Sequence, residues 1–160
     1  MKEKSTNHQK ALKYAFWLFA QRNHSEKEIR DKLGKNYDNT IVDVVIEKLK
    51  SLKLVDDEKF AKEWVEYRLY HNKSKNFITR ELTNKGILCE TTTEILNSLK
   101  IDETELAYNT IKNKIARYKK LEPSKANSKI FQFLIGKGFS YDTIESVIEK
   151  FGGKDNDEDE

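Results

Sequence analysis

The chain has 160 residues, of which 37% are hydrophobic and 36% charged, with one proline and six glycines. This length suits one domain or a few small modules that share a core, and the composition favours helices with broad solvated faces over a β fold. The formal net charge is +3; residues 154–160 contribute −4 and residues 1–153 the remaining +7, which suits a polyanion or an acidic protein surface as a partner.

The first apolar stretch, residues 11–20, follows a basic N-terminus, which is the order found in a secretory signal. However, Lys13 lies inside this stretch, no clear small-residue cleavage site follows it, and it is far shorter than a membrane span. We therefore expect no cleaved or membrane segment. The sequence instead predicts a flexible N-terminus over residues 1–9 and then a first helix, whose apolar positions come in pairs four residues apart at Ala11-Leu12 and Ala15-Phe16.

A second helix is predicted to begin after Ser25. Ser25 and Glu28 have the spacing of a capping box, in which each residue satisfies a backbone N–H of the other. Ile29 and Leu33 follow one turn apart on one helical face. A third helix is indicated by the apolar positions Val45-Ile46 and Leu49.

Asp56 and Asp57 form a carboxylate pair of the kind that a hydrolase or a metal site uses. Their surroundings favour another role. If Asp56 caps a helix, Val55 lies just before the cap and Phe60 at the fourth helical position, which is the spacing of a hydrophobic staple. The same spacing recurs in Ile101, Asp102 and Leu106. We predict that Asp56 and Asp102 are caps, and that the acids after them lie in first turns, where the helix dipole favours negative charge.

The pattern of the second helix occurs three times, and two copies end at a glycine. The later copies carry Ile78 and Leu82 after a capping Ser74, and Ile130 and Leu134. Gly86 and Gly138 are predicted to end their helices in the left-handed conformation, with the next apolar residue folding back onto the helix. Asn36, the residue next best suited to that conformation, takes this place in the first copy.

These recurrences predict an all-α fold of three tandem three-helix repeats that form an elongated, curved helical array. The predicted repeats cover residues 10–55, 56–101 and 102–152, and an acidic disordered tail covers residues 153–160.

Signs of catalytic chemistry are lacking in the sequence. No glycine-rich phosphate loop is present, and His8, His24 and His71 have no metal-ligand spacing with one another or with Cys89. The single cysteine also excludes an internal disulfide, which favours a reducing compartment. Trp17 and Trp64 lie in apolar helical patterns and are expected in a core or an interface. We predict a protein without catalytic residues, metal or cofactor.

Four segments together resemble the bacterial regulatory protein family RecX. They are HSEKEIRDKL (24–33), LVDDEKFAKEWVEYR (54–68), ITRELTNKGI (78–87) and FQFLIGKGFSYDTIESVIEKF (131–151). The likeness extends from Ala11 to Phe151 with the segments in the family's order. One departure is the stretch 71–78, HNKSKNFI, where the family usually has a turn that contains glycine.

The resemblance implies an all-helical, cytoplasmic protein that modulates the recombinase RecA. Proteins of this family bind RecA filaments on DNA, commonly along the filament groove, and inhibit ATP hydrolysis, strand exchange and repressor cleavage without being enzymes. We accordingly expect a RecA filament as partner, contact with the single-stranded DNA within it, weak direct DNA binding, no membrane and a monomeric state.

Basic residues around the middle repeat are the candidate contacts with the filament and its nucleic acid. They are Arg68, Lys73, Lys75, Arg80 and Lys85, and Arg22, Arg30 and Lys137 are secondary candidates. Lys85 and Lys137 have a second interpretation, because cations also stabilise helix C-termini. Two other functions fit the pattern: a DNA-binding regulator that uses a helix-turn-helix, and a scaffold for a different protein. No predicted helix collects Arg, Asn and Gln on one face as reading of bases requires, which disfavours the regulator.

Overall fold

The computed structural model describes residues 6–153, and within this range the chain forms nine α-helices and no β-strand. The helices are α1 (His8–Gln21), α2 (Glu26–Leu33), α3 (Asn39–Ser51), α4 (Asp57–Tyr70), α5 (Lys75–Asn84), α6 (Cys89–Ser98), α7 (Glu103–Tyr118), α8 (Pro123–Ile135) and α9 (Tyr141–Gly153). The predicted all-α helical-repeat fold is confirmed. Helix α1 begins inside the stretch predicted as a flexible N-terminus, and residues 154–160 of the predicted acidic tail lie outside the described residues.

The described chain divides into two compact units. The first unit contains residues 6–64 together with Leu82–Thr92, and the second contains Val65–Glu81 together with residues 93–153. The division passes through α4, α5 and α6, so the predicted middle repeat contributes to both units. The repeat boundaries at residues 10–55, 56–101 and 102–152 stay a prediction from the sequence.

Each unit has its own apolar core, built from positions three and four residues apart on its helices. In the first unit α1, α2 and α3 pack together around Ala11, Ala15, Leu18, Ile29, Leu33, Val42, Val45, Ile46 and Leu49. In the second unit α7, α8 and α9 pack together around Ala107, Ile111, Ala126, Ile130, Leu134, Phe139, Ile144 and Val147. The i, i+4 pairs Ile29/Leu33 and Ile130/Leu134 are therefore core residues, as their spacing indicates.

The two aspartates predicted as helix caps have that role. Asp56 Oδ1 accepts from the N–H of Lys59 at 2.9 Å, and Asp102 Oδ1 accepts from the N–H of Glu105 at 3.0 Å. Val55, just before the first cap, is buried, as a hydrophobic staple requires. Asp56 is thus a cap.

The serines before α2 and α5 have a second role that the sequence did not indicate. Ser25 Oγ accepts from the N–H of Glu28 at 3.2 Å and donates to the carbonyl of Lys85, just after α5, at 2.6 Å. Ser74 Oγ accepts from the N–H of Phe77 at 3.2 Å and donates to the carbonyl of Lys137, just after α8, at 3.0 Å. Both serines are fully buried. One hydroxyl thus joins the start of one helix to the end of another, once in each unit.

The acid that follows each capping aspartate accepts a hydrogen bond from the first residue of the helix that Ser25 or Ser74 caps, so it stabilises the same junction between helix ends. Asp57 Oδ1 accepts from the N–H of Glu26, the first residue of α2, at 2.8 Å. Glu103 Oε1 accepts from the N–H of Lys75, the first residue of α5, at 3.0 Å. Burial raises the pKa of the Asp57 carboxyl. Both acids lie in the first turns of their own helices, as predicted, while their side chains serve the N-terminus of an earlier helix.

Helix α8 begins without such a serine. Its cap position is Glu122, whose side chain makes no capping hydrogen bond, and Pro123 occupies the first turn. Proline has no backbone N–H, so one of the donors that have no partner within the first turn of a helix is missing.

Gly86 and Gly138 end α5 and α8 in the predicted left-handed conformation, with φ of +85° and +83°. The N–H of Ile87 donates to the carbonyl of Leu82 at 3.0 Å, and the N–H of Phe139 makes the equivalent bond to Leu134 at 3.2 Å. These are the hydrogen bonds of the Schellman motif. A Cβ on Gly86 would lie 2.6 Å from Lys27 Cβ on α2. The glycine therefore also allows two helices to approach closely.

The prediction for Asn36 is wrong. Among the described residues other than glycine, only Lys53 and Asn72 have positive φ, at 54° and 53°. After α2 the N–H of Tyr37 still bonds to the carbonyl of Leu33 at 3.0 Å, so the chain continues as a helical turn and needs no reversal at Asn36. Asn72 makes the turn after α4, in the stretch where the resemblance implies a glycine, and asparagine tolerates this conformation better than most residues.

We predict that Gly86→Ala lowers the free energy of unfolding by about 2 kcal/mol or more, because the left-handed backbone alone costs an alanine about 1–2 kcal/mol and the new methyl would overlap Lys27. Gly138→Ala should cost somewhat less, since its nearest neighbour, Ser74 Oγ, lies 3.0 Å from the added Cβ. Gly152→Ala is the matched control, because nothing lies within 4 Å of its added Cβ, and it should change stability by less than about 0.5 kcal/mol. Urea unfolding of the three variants measures this, and equal stabilities would contradict the close approach.

Candidate partner-binding surface

Two of the predicted contact residues, Arg22 and Lys85, converge on one carboxylate in the first unit. The two terminal nitrogens of Arg22 contact the two oxygens of Glu28 at 3.0 Å each, and Lys85 Nζ contacts Glu28 Oε1 at 2.6 Å. Lys85 Nζ also lies 4.1 Å from the centroid of the Trp64 ring, a cation–π contact. Burial raises the pKa of Glu28, but its hydrogen bonds from Arg22 and Lys85 outweigh burial and lower that pKa to about 2.

Arg30 and Arg68 are also held by acids of their own unit. Arg30 contacts Glu26 at 2.7 Å and Asp43 at 2.5 Å, and the hydrogen bonds to these two carboxylates raise the pKa of Arg30. Arg68 contacts Glu81 at 2.6 Å between α4 and α5. Four of the eight predicted cations therefore form ion pairs that link helices, and a partner would compete with these carboxylates for them.

The other four cations, Lys73, Lys75, Arg80 and Lys137, form no ion pair with a carboxylate of residues 6–153. The hydrogen bond from Ser74 to the carbonyl of Lys137 brings the backbone of Lys137 next to the segment 73–75. Lys73 Nζ lies 5.3 Å from the centroid of the Phe77 ring. Arg80 lies five residues after Lys75 and so on a different face of α5. The second unit thus brings Lys73 and Lys75 next to the backbone of Lys137, whose Nζ lies 5.4 Å from the centroid of the Phe133 ring, and separates Arg80 from these two lysines.

An exposed aromatic patch lies beside these lysines and was not recognised in the sequence. It consists of Tyr67, Tyr70 and His71, at the end of α4 and in the turn after it. The side chains of Tyr67 and Tyr70 are 53% and 85% exposed. The His71 ring lies 4.3 Å from the Tyr67 ring and 5.3 Å from the Tyr70 ring, measured between centroids. The only signal in the sequence was the presence of two tyrosines among charged residues in EYRLYH. Because the preceding residues of α4 follow an apolar core pattern, these tyrosines did not stand out as a surface feature.

The tryptophans predicted in a core or an interface differ in exposure. Trp17 is 55% exposed on α1 and stacks on Tyr14 at 5.9 Å, whereas Trp64 is half-buried beside Lys85. In the described part of the chain, no group of three His, Cys, Asp or Glu side chains has the arrangement to hold a metal ion. No described helix combines the length and apolar character needed to cross a bilayer.

Short capped helices in recurring groups of three define a helical-repeat protein. Family models of RecX match the chain twice, the first three-helix domain over residues 11–49 and the third over residues 101–148. The regulatory protein RecX of Clostridioides difficile (strain 630) is 38% identical over 143 residues, which are 88% of this chain and 68% of that protein. The chain belongs to the RecX family of regulatory proteins.

Other RecX proteins support the same fold and family. The regulatory protein RecX of Clostridium perfringens (strain 13) is 32% identical over 130 residues, covering 79% of this chain and 61% of that protein. The crystal structure of RecX from Lactobacillus salivarius superposes with a TM-score of 0.79 at 26% identity, covering 91% of this chain and 96% of that one. The chain thus spans only about two thirds of the length of these two clostridial relatives.

We predict that Glu28 makes the stability of the protein fall in acid. Because its folded pKa of about 2 lies below the ordinary 4.5, its contribution is complete above pH ~5 and is lost as the pH falls towards 2, by on the order of 3 kcal/mol. The raised pKa of Asp57 acts in the opposite direction. Urea unfolding at pH 7, 5, 4 and 3 measures the total.

Glu28→Gln should be less stable than the wild type at pH 7, since it breaks a partly buried pair, and its stability should depend less on pH. Glu145→Gln is the control, because Glu145 is exposed on α9, and its pH profile should match the wild type. A Glu28→Gln profile parallel to the wild type would contradict the assigned role of the Arg22–Glu28–Lys85 cluster.

Proposed function

We propose that this protein binds RecA filaments assembled on DNA and inhibits their ATPase, strand-exchange and repressor-cleavage activities, as a cytoplasmic regulator in DNA repair, recombination and the SOS response. The observation that carries the proposal is membership of the RecX family. The proposed role is that of a protein that acts by binding, with no catalytic residue, metal or cofactor of its own, and that works as a monomer.

The surface around Ser74 supports this proposal by its chemistry. The aromatic patch presents two tyrosines, a residue type that often carries much of the energy of protein interfaces. Lys73 and Lys75 add positive charge close to it, without ion pairs to the described carboxylates. A surface with aromatic anchors and free cations complements a partner that carries acidic side chains and phosphates. We propose this surface as the main filament contact, and we assign Arg22, Arg30, Arg68 and Lys85 a mainly structural role.

A DNA-binding regulator with a helix-turn-helix is the second candidate, because each group of three helices has the approximate form of that motif. Such a protein would read bases of a duplex in the absence of RecA. The two functions therefore differ in what each needs for tight binding: assembled RecA in the first case, and a particular DNA sequence in the second.

We predict that the protein slows ATP hydrolysis by RecA on single-stranded DNA and hydrolyses no ATP alone. The triple variant Lys73→Gln, Lys75→Gln and Arg80→Gln should need about tenfold more protein for the same inhibition, since it removes Lys73 and Lys75 from the proposed contact and one further positive charge, Arg80, from another face of α5. The control is Lys13→Gln, Lys48→Gln and Lys59→Gln, which removes three exposed charges in the first unit and should inhibit like the wild type.

Two results would contradict the proposal. Unchanged RecA turnover, with the wild-type protein in excess over filament subunits, would overturn the function itself. Full inhibition by a folded middle-repeat variant would leave the function in place and would show that a different surface contacts the filament. Circular dichroism and thermal unfolding establish that each variant is folded.

We also predict that the protein binds bare duplex DNA weakly and without sequence preference, and binds DNA much more tightly once RecA has assembled on it. Fluorescence anisotropy with one labelled duplex of random sequence and several competitor sequences measures this across a salt series, with and without RecA. Tight, sequence-selective binding to bare duplex would favour the DNA-binding regulator, because base reading and not phosphate contact discriminates between sequences.

A further inference from the structure

The excess positive charge of the protein lies in one stretch of the second unit. Residues 111–140 contain eight Lys and Arg residues and a single acid, Glu122, which gives this stretch a charge of +7. Residues 1–153 as a whole also carry +7, so the rest of that range is balanced. The cations are Lys112, Lys114, Arg117, Lys119, Lys120, Lys125, Lys129 and Lys137. The uncompensated charge is therefore concentrated on α7, α8 and their connections.

Part of this charge surrounds a cleft of about 340 Å³ between α7 and α8. Arg117 and Tyr118 of α7 line it together with Lys129, Gln132 and Phe133 of α8. Lys114, three residues before Arg117 and on the same face of α7, extends the basic rim, because its Nζ lies 5.0 Å from the centroid of the Phe133 ring. Lys137 reaches the same ring at 5.4 Å. We name this site the α7–α8 cleft.

No carboxylate lines the α7–α8 cleft, and Lys114, Arg117 and Lys129 form no ion pair with an acid of residues 6–153. The cleft of about 540 Å³ beside α2 and α3 in the first unit is different. It is lined by Arg30 and Lys35 but also by Asp31 and Asp43, and Asp43 pairs with Arg30. Two cations and two acids therefore line the first-unit cleft, whereas the charged residues that line the α7–α8 cleft are cations alone.

We propose that the α7–α8 cleft binds the sugar-phosphate backbone of single-stranded nucleic acid. Three unpaired cations on two helices give the electrostatic contact that phosphates need, and the planar guanidinium of Arg117 can hold two phosphate oxygens at once. Lys125 lies one turn before Lys129 on the same face of α8, so the positive charge continues beyond the cleft along the direction of a strand.

The floor of the cleft favours a single strand over a duplex. The half-buried ring of Phe133 and the exposed amide of Gln132 lie between the cations, where an unpaired base can stack on the ring and hydrogen-bond to the amide. The paired bases of a duplex have their faces stacked and their Watson–Crick edges occupied, so a duplex would contact only the rim. Binding through backbone and stacking is tolerant of sequence.

This binding deepens the DNA contact of the proposed function and needs no second protein. It is tested without RecA, so its failure and the failure of filament inhibition are separate results. The probe is a fluorescent oligothymidylate, titrated with the full chain at 50 to 300 mM NaCl. The cleft variant is Lys114→Gln, Arg117→Gln and Lys129→Gln, and the two triple variants defined above, in the middle repeat and in the first unit, remove the same charge elsewhere.

The cleft variant should bind the oligonucleotide more than about tenfold more weakly at 50 mM NaCl, and the slope of log K against log salt should become shallower by about 2, for three phosphates at about 0.7 each. The first-unit variant should keep the wild-type slope, and the middle-repeat variant should change it by less than the cleft variant does. Ultraviolet cross-linking of the wild-type protein to a bromouracil-containing strand, with mapping of the attached peptide, should locate the adduct in residues 111–140. This experiment uses only the wild-type protein, so its result does not depend on whether a variant folds.

Three results would overturn the proposal. They are equal binding by the wild type and a folded cleft variant, a cross-link that maps outside residues 111–140, and binding of a duplex at least as tight as binding of the single strand. Loss of RecA inhibition by the cleft variant together with unchanged oligonucleotide binding would also overturn it, because the cleft would then bind an acidic protein surface.

Discussion

The fold depends on buried serine hydroxyls that each serve two helix ends. Ser25 and Ser74 accept a hydrogen bond from the first turn of their own helix and donate one to the carbonyl that follows a later helix. Helix ends have backbone groups without partners in the helix, and burying them unpaired costs free energy. A hydroxyl group can bond to both kinds of end at once only if the two helices lie very close together. The positive φ of Gly86 and Gly138, and their lack of a side chain, make this approach feasible.

This close packing also decides which charges remain for a partner. Around the junction in the first unit, Glu28 completes the capping box of α2 and binds Arg22 and Lys85 as well. Arg22 and Lys85, which were predicted from the sequence to contact a partner, thus form ion pairs within the protein. Positive charge is left for ligands where the cations form no ion pair with a described carboxylate, as at Lys73 and Lys75, and where acids are rare, as in residues 111–140. The proposed filament contact and the proposed nucleic-acid cleft both follow from this distribution.

Features set by residues close together in the chain could be predicted, and those set by distant residues could not. Caps at Asp56 and Asp102 and the turn at Gly86 follow from spacings within one helix end. The bond from Asp57 to α2 joins residues 31 apart, and the bond from Ser25 to Lys85 joins residues 60 apart, which no local pattern reveals. The turn at Asn36 was predicted by analogy between repeats and failed because the chain there needs no reversal. A count of charge along the chain would have indicated the basic stretch, but not the cleft.

The start of α8 differs from the starts of α2 and α5, because it lacks the capping serine that joins one repeat to the next. Each serine junction needs a serine on one side and the carbonyl after a glycine-ended helix on the other. Helix α8 supplies the carbonyl side, yet its cap position is Glu122 and not a serine, and the hydroxyl of Ser124 in its first turn bonds to the Glu122 carboxylate. A fourth copy could not be attached there by the same bond, so simple duplication of the repeat unit would not lengthen the array. Growth of this architecture, in evolution or by design, would have to occur by inserting a copy before α7 or by first rebuilding the start of α8.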